Sequence, residues 1–146
     1  MSLENIAIKL DTGEAFSVGN VSALLSEIAA HLERLIATGE ASQIDLKSLP
    51  FAPGEYEQLR LLLGQGEVTA QIEAIGPSEI TETQYPGVWW VTHYDIDEQV
   101  AAEFIEVTYV PEILKTHPAD ARRAIEALHS RSMQSAEVNE GDIHAE

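Results

Sequence analysis

The stretch that decides the fold is residues 67–109, EVTAQIEAIGPSEITETQYPGVWWVTHYDIDEQVAAEFIEVTY. In Glu67–Ala74 polar and apolar side chains alternate, which is typical of a strand with one buried face and one wet face. Three more strands are predicted at Glu79–Tyr85, Val88–Tyr94 and Val100–Tyr109, with turn residues between them. Because the connections are short, we expect consecutive strands to pair antiparallel.

A helix is predicted upstream of the strands. Apolar residues recur at spacings of three and four across Val21–Ile36. Asn20 is a favourable N-cap and Gly39 a favourable C-terminal stop, so we expect the helix to lie between them. The residues before it give a weaker pattern, in which Ile6–Leu10 is compatible with an edge strand.

Two further helices and a short extended segment complete the pattern. Gln43–Leu49 is compatible with a short extended piece, and a second helix is predicted from about Pro53 to Gly64 or Gly66. The last helix begins near Pro118. Its predicted inward face consists of Ala121, Ala124, Ile125 and Leu128.

The element order is therefore α-α-β-β-β-β-α. This order predicts an α+β fold, with an antiparallel sheet of about four strands and the helices packed on one face. We expect residues 1–131 to form one domain, since that length supports a real hydrophobic core. Residues 132–146 contain acids, no Lys or Arg and few large apolar groups, so we expect a disordered acidic tail.

Composition restricts the possible functions. The formal net charge is -17, which disfavours binding to nucleic acid and to anionic membrane surfaces. The chain has no cysteine, so no thiolate can hold zinc or an iron–sulfur cluster. No apolar run is long enough to span a membrane, and the first residues do not resemble a secretory signal.

The charge is distributed unevenly along the chain. The 54 residues from Leu61 to Leu114 contain ten acids and no Lys or Arg. A solvated surface usually mixes both signs, because interspersed charges repel each other less. Two interpretations stay open, an acidic surface that binds a basic partner and an accident of composition.

A candidate partner-binding surface follows from this charge and from two aromatic residues. Trp89 and Trp90 are adjacent in a predicted strand, so their side chains point to opposite faces and only one can face the helices. The strand Glu79–Tyr85 is polar along most of its length, which packing alone does not explain. The residues predicted to meet a partner are Glu82, Tyr85, Trp89, Trp90, His93 and Glu103.

Metal binding and catalysis have weaker support. His93, Asp95 and Asp97 could approach one cation, but a single histidine is a thin basis for a metal site. Ser22, Ser26 and Ser78 have no histidine within an identifiable motif, and no glycine-rich phosphate loop is present. We therefore expect no catalytic residue, no metal and no cofactor.

The strand region resembles a known family. Residues 82–94 (ETQYPGVWWVTHY), 103–107 (EFIEV) and 110–114 (VPEIL) resemble the C-terminal conserved region of the hydrogenase expression proteins HupH, HyaF and HoxQ. Residues 61–68 (LLLGQGEV) are similar to the same region. The resemblance covers about residues 55–115.

This resemblance implies a cytoplasmic, chaperone-like factor in the maturation of nickel-iron uptake hydrogenases. The implied partner is the precursor of the small subunit, which carries the iron–sulfur clusters and a twin-arginine export signal, with other maturation factors as further partners. An alternative in the same pathway is a protein that handles a metal or an iron–sulfur cluster. An open sheet edge also makes a homodimer possible.

Overall fold

The computed structural model describes the backbone of residues 2–144 and the side chains of residues 20–141. The helices are α1 (Ser2–Thr38), α2 (Glu55–Leu63) and α3 (Pro118–His144), and 3-10 turns occur at Leu46–Ser48 and Glu112–Leu114. The strands are β1 (Ser42–Asp45), β2 (Thr69–Ile72), β3 (Ser78–Glu82), β4 (Val88–Tyr94) and β5 (Val100–Val107). The chain divides into two compact units, of which the first ends at Pro111 and the second begins at Glu112.

The α+β fold and the antiparallel sheet are confirmed. The sheet has five strands in the order β1-β5-β4-β3-β2, and every neighbouring pair is antiparallel. The additional strand is β1, which overlaps the segment Gln43–Leu49 that the sequence marks only as a short extended piece. It has four residues, and Ile44 is its one buried side chain, so its own pattern is too short to show a period.

The beginning of α1 differs from the expectation. The helix begins at Ser2, so Asn20 lies inside it and is not an N-cap, and Ile6–Leu10 is helical rather than an edge strand. Propagation of a helix adds one hydrogen bond for each residue that is fixed, whereas nucleation is costly. An established helix can therefore continue through a residue such as Gly19, at a cost of about 1 kcal/mol relative to alanine.

The C-terminal segment also differs. Helix α3 spans Pro118–His144 and so includes residues 132–144 of the predicted acidic tail. Every residue described from Asp120 to Gly141 is exposed, so the second unit by itself does not bury the predicted inward face. On that face Ile125 is 53% exposed and Leu128 is 67% exposed. The 3.6-residue period correctly predicts a helix, but it does not show whether another element covers it.

The core lies between α1, α2 and one face of the sheet, which we call the helix face. The opposite side is the outer face. The centre of the core is aliphatic, and its fully or nearly fully buried members include Val21, Ile28, Leu35, Leu59, Leu63, Val88, Ile105 and Val107. None of the helices within residues 2–144 has a stretch apolar enough to cross a bilayer.

The connection between β3 and β4 carries one required glycine. Gly87 has φ of 90°, and the Val88 N–H donates to the Tyr85 carbonyl at 3.0 Å. A Cβ on Gly87 would lie 3.0 Å from the Leu32 side chain, so this turn also packs closely against α1. The Thr83 N–H donates to the Val88 carbonyl at 2.9 Å, so the connection is wider than a two-residue hairpin. Pro-Gly disfavours the primed turns that a two-residue hairpin prefers.

We expect Leu59→Ala to lower the free energy of unfolding by about 2–5 kcal/mol, because Leu59 is fully buried and its removal leaves a cavity. Leu61→Ala is the matched control on the same helix, since Leu61 is 84% exposed and should change stability by less than about 0.5 kcal/mol. Urea unfolding followed by tryptophan fluorescence measures both. Equal losses in the two variants would contradict the described packing of α2.

Candidate functional site

The two helices cover only part of the helix face. One row of aligned residues crosses the whole sheet, from Ile44 through Ile105, Trp90 and Thr81 to Thr69. The first three side chains of this row are buried, Thr81 is half-buried and Thr69 is exposed. The helix face therefore changes from apolar and covered to polar and open at Trp90.

A cleft of about 510 Å³ lies at this change. One wall is formed by a single side of α2 and the residues that follow it, and the floor is formed by β3 and β4. The residues that line it are Tyr56, Glu57, Arg60, Leu61, Gly64, Gln65, Glu79, Thr81 and Trp90. We call this feature the α2 cleft.

A buried carboxylate lies next to the α2 cleft. The Glu103 side chain is only 7% exposed and accepts hydrogen bonds from three side chains. Trp90 Nε1 donates at 2.7 Å, Thr92 Oγ1 at 3.0 Å, and the Tyr56 hydroxyl at 2.8 Å and 2.9 Å to the two oxygens. Arg60 adds an ion pair, with 3.6 Å between Nη1 and Glu103 Oε2. Glu103 is thus satisfied within the protein, as a buried charge requires.

Arg60 connects this buried network to the cleft. Its guanidinium carbon lies 4.6 Å from the ring centre of Trp90, within the range of a cation–π contact. The Arg60 side chain is 51% exposed, so one side of the guanidinium faces Trp90 and Glu103 and the other side is accessible. Tyr56 also packs edge-on against Trp90, with 5.6 Å between the ring centres.

The lining of the α2 cleft contains more acidic than basic side chains. Glu57 lies on the α2 wall and Glu79 on the floor, and neither has a cationic partner among the ion pairs of the described residues. Arg60 is the cation in the lining, and the buried Glu103 already pairs with it. The cleft can therefore accept a cationic group from a partner, and its aromatic floor and wall can supply contact area.

The tyrosine pKa values reflect this environment. Burial, the hydrogen bond to Glu103 and the negative charge of Glu103 together raise the pKa of Tyr56 to about 12, although the nearby Arg60 opposes the shift. Burial also raises the pKa of Tyr94, together with the negative charges of Glu79 and Glu103. Both hydroxyls therefore stay protonated at neutral pH, and Tyr56 acts as a hydrogen-bond donor to the carboxylate.

The residues predicted as one partner-binding surface lie in three places. Trp90 and Glu103 lie on the helix face, and both are buried. Glu82 and His93 lie on the outer face, because they pair in register with outer-face positions. Tyr85 lies in the turn between β3 and β4 and is 47% exposed. The structure therefore does not bring these residues into one surface.

Trp89 lies on the outer face, as the alternation of strand side chains predicts for one member of the pair. It is only 5% exposed, the same as Trp90, so neither indole is an exposed anchor. The Trp89 Nε1 donates to the Thr108 carbonyl at 3.1 Å, which satisfies its polar atom. The alternation correctly predicts that the two indole rings lie on opposite faces of the sheet. It does not show that each ring is buried on its own face.

The sequence pattern missed the α2 contribution to the site. Tyr56 and Arg60 are four residues apart and lie on one side of the helix, but only their contact with β4 and β5 shows that they act together. One signal was available. Arg60 is the last basic residue before the acidic stretch of 54 residues, so it borders those acids in sequence.

The outer face contains a serine–histidine contact that no sequence motif indicates. Ser78 Oγ and His93 Nδ1 are 2.7 Å apart, across the β3–β4 pair. His93 also packs edge-on against Phe104, with 6.0 Å between ring centres. Neither Ser78 nor His93 lines the α2 cleft. The pair links β3 to β4 as a cross-strand contact.

The loop acids near His93 have structural roles. Asp95 Oδ1 accepts from the backbone N–H groups of Asp97 and Gln99, at 2.8 Å and 3.0 Å, which closes the β4–β5 turn. Among the residues whose positions are described, no group of three or more histidine, aspartate or glutamate side chains could hold a metal ion.

Comparison with known proteins gives consistent results. The family described as "HupH hydrogenase expression protein, C-terminal conserved region" matches residues 18–134. Hydrogenase expression/formation protein HoxQ of Azotobacter vinelandii is 31% identical over 72% of this chain, and HupH of Rhodobacter capsulatus is 33% identical over 66% of it. The matches span only 36% and 34% of those relatives, so the chain corresponds to about a third of their length.

A solved structure is also similar. The hydrogenase expression protein HupH from Thiobacillus denitrificans is 47% identical, with a TM-score of 0.76. The match covers 80% of this chain and 97% of that chain.

We expect the stability of the protein to fall as the pH rises from about 10, the usual tyrosine pKa, to about 12. The pKa of Tyr56 is higher in the folded state than in the unfolded state, so ionisation favours unfolding across this range. Tyr56→Phe should weaken this pH dependence, whereas Tyr85→Phe, which removes an exposed hydroxyl, should preserve it. Urea unfolding at a series of pH values measures it, and an unchanged slope in Tyr56→Phe would contradict the assignment.

Proposed function

Because this chain belongs to the HupH hydrogenase expression protein family, we propose that it is a non-enzymatic accessory factor in hydrogenase maturation. In this proposal it acts in the cytoplasm by binding the precursor of the small subunit of a nickel-iron hydrogenase. Other maturation factors join it, and catalysis by this chain is not required.

One observation carries this proposal, which is the excess of acidic side chains in the lining of the α2 cleft. Glu57 on the wall and Glu79 on the floor both line the cleft without cationic partners among the described ion pairs, while Arg60 is held at Trp90 and Glu103. Such an arrangement favours a Lys or Arg side chain from a partner. A precursor that carries a twin-arginine export signal offers cations of this kind.

The cleft differs from the surface that the sequence alone suggests. The wall is formed by α2, and the predicted members Trp90 and Glu103 act through it by holding Arg60 and Tyr56 in position. The acids that remain accessible are Glu57 and Glu79. Negative potential around the cleft would raise the association rate with a basic segment, and desolvated contacts would then determine the dissociation rate.

We expect Glu57→Lys combined with Glu79→Lys to weaken binding of the purified small-subunit precursor by on the order of ten-fold or more, because like charges would then meet. The matched control is Glu33→Lys combined with Asp97→Lys, which makes the same change of net charge at exposed positions outside the α2 cleft. Titration by fluorescence anisotropy at low and high salt measures both affinities. Circular dichroism confirms that each variant is folded.

The two variants separate a specific cleft from a general charge effect. If the cleft binds the precursor, only the Glu57→Lys/Glu79→Lys variant loses affinity. The unsubstituted protein should then bind the precursor more weakly as the salt concentration is raised. Equal losses in both variants would mean that net charge alone attracts the precursor. Unchanged binding in the cleft variant would contradict the proposal that the α2 cleft is the binding site.

A further inference from the structure

Strand β2 forms one edge of the sheet. It pairs with β3 on one side, and no strand within residues 2–144 pairs with its other side. An open edge presents unpaired backbone N–H and C=O groups, which can pair with an extended segment of another chain. The α2 cleft lies on the helix face of β3 and β4, so this edge is the open end of the same polar floor.

The hydrogen-bond pattern shows which groups point outward. The Glu82 N–H donates to the Val68 carbonyl at 2.8 Å, so positions 68 and 82 form a hydrogen-bonded pair. In an antiparallel ladder such pairs alternate with pairs that make no bond between the two strands. Ala70 and Ile72 therefore bond to β3, whereas the N–H and C=O groups of Thr69 and Gln71 point away from the sheet.

The side chains of Thr69 and Gln71 connect this edge to the α2 cleft. Thr69 lies opposite Thr81, and Gln71 lies opposite Glu79, so both side chains lie on the helix face next to the cleft floor. Gln65 Nε2 is 3.4 Å from Thr69 Oγ1, which links the end of the cleft wall to the edge strand. The cleft and the edge thus form one continuous surface.

The charge near the edge selects the occupant. Glu67 and Glu73 lie just beyond the two ends of β2 and are exposed, and Glu79 follows on the next strand. Antiparallel pairing with the same edge of a second copy would bring Glu67 and Glu73 of the two copies together, which like-charge repulsion disfavours. A segment with Lys or Arg would instead gain from the same charges.

We propose that β2 receives an extended basic segment of the partner as a sixth strand. The backbone of the segment bonds to Thr69 and Gln71, and its Lys or Arg side chains on the helix face reach over β2 towards Glu79 and the α2 cleft. This inference rests on the proposed function for the identity of the partner, but its geometry depends only on the open edge and on the adjacent charge.

The test uses a labelled synthetic peptide of about eight residues that alternates Arg and Val, a length typical of one strand. A second peptide has the same sequence and charge, but its arginine backbone amides are methylated. Methylation removes the N–H groups that would bond to the β2 edge and leaves the electrostatic attraction intact. We expect the methylated peptide to bind on the order of ten-fold more weakly to the full chain.

Two variants of the protein test the same bonds from the other side. Gln71→Pro removes an N–H that points outward, which an edge strand tolerates, and Gln71→Ala keeps that N–H while removing the same side chain. We expect only Gln71→Pro to weaken binding of the unmethylated peptide, by on the order of ten-fold. Far-ultraviolet circular dichroism and thermal unfolding check that both variants keep the fold.

Amide hydrogen exchange gives a readout that does not depend on a substitution. In the free protein the amides of Thr69 and Gln71 should exchange fast, and those of Ala70 and Ile72 slowly. Adding the unmethylated peptide should slow exchange at Thr69 and Gln71. Equal binding of both peptides, with no protection at these two amides, would overturn strand addition.

The outcomes also separate this inference from the proposed function. If the small-subunit precursor binds and the Glu57→Lys/Glu79→Lys variant weakens it, while the two peptides bind alike, only strand addition is wrong. If the peptides differ as expected but the precursor does not bind, the edge is a strand-addition site and the identity of the partner is wrong.

Discussion

The buried carboxylate of Glu103 is the constraint on which the rest of the site depends. A carboxylate that is 7% exposed is stable only if donors surround it, and here they come from α2 and β4 while Glu103 itself lies on β5. The hydrogen bonds to the Glu103 carboxylate therefore hold Tyr56 against the sheet, and the ion pair with Glu103 holds Arg60 over Trp90. A neutral apolar core would pack α2 without fixing its rotation in this way.

This constraint explains why the helix face is divided. The aliphatic side of α1 and α2 covers the sheet as far as Trp90, and the polar network closes the core at that line. Beyond it, Thr81 and Glu79 need no apolar cover, because water or a partner can satisfy them. The same strand buries Ser78 and Ile80 on the outer face. Strand β3 is therefore polar because its side chains on the helix face form the floor of an open cleft.

The acidic stretch acquires different roles in three dimensions. Glu103 is buried and paired, and burial raises the pKa of Glu106 on the outer face, where a hydrogen bond from Gln43 opposes the shift. The Asp95 carboxylate closes a turn by accepting hydrogen bonds from two backbone N–H groups. Glu79 and the acids at the two ends of β2 stay accessible to solvent. A count of charges along the chain cannot separate these roles, because each depends on the solvent exposure of one side chain.

The sequence by itself determined the α+β class, the antiparallel strands, the second helix and the family, because alternation, helical spacing and turn residues are local properties of the chain. It placed Trp89 and Trp90 on opposite faces for the same reason. It did not determine the start of α1, the exposure of α3 or the grouping of the predicted site residues. Only the tertiary structure decided that Trp89 is buried, that Tyr56 and Arg60 meet Glu103, and that β2 is an open edge. These features depend on strand order, register and helix coverage, which residues distant in sequence set together.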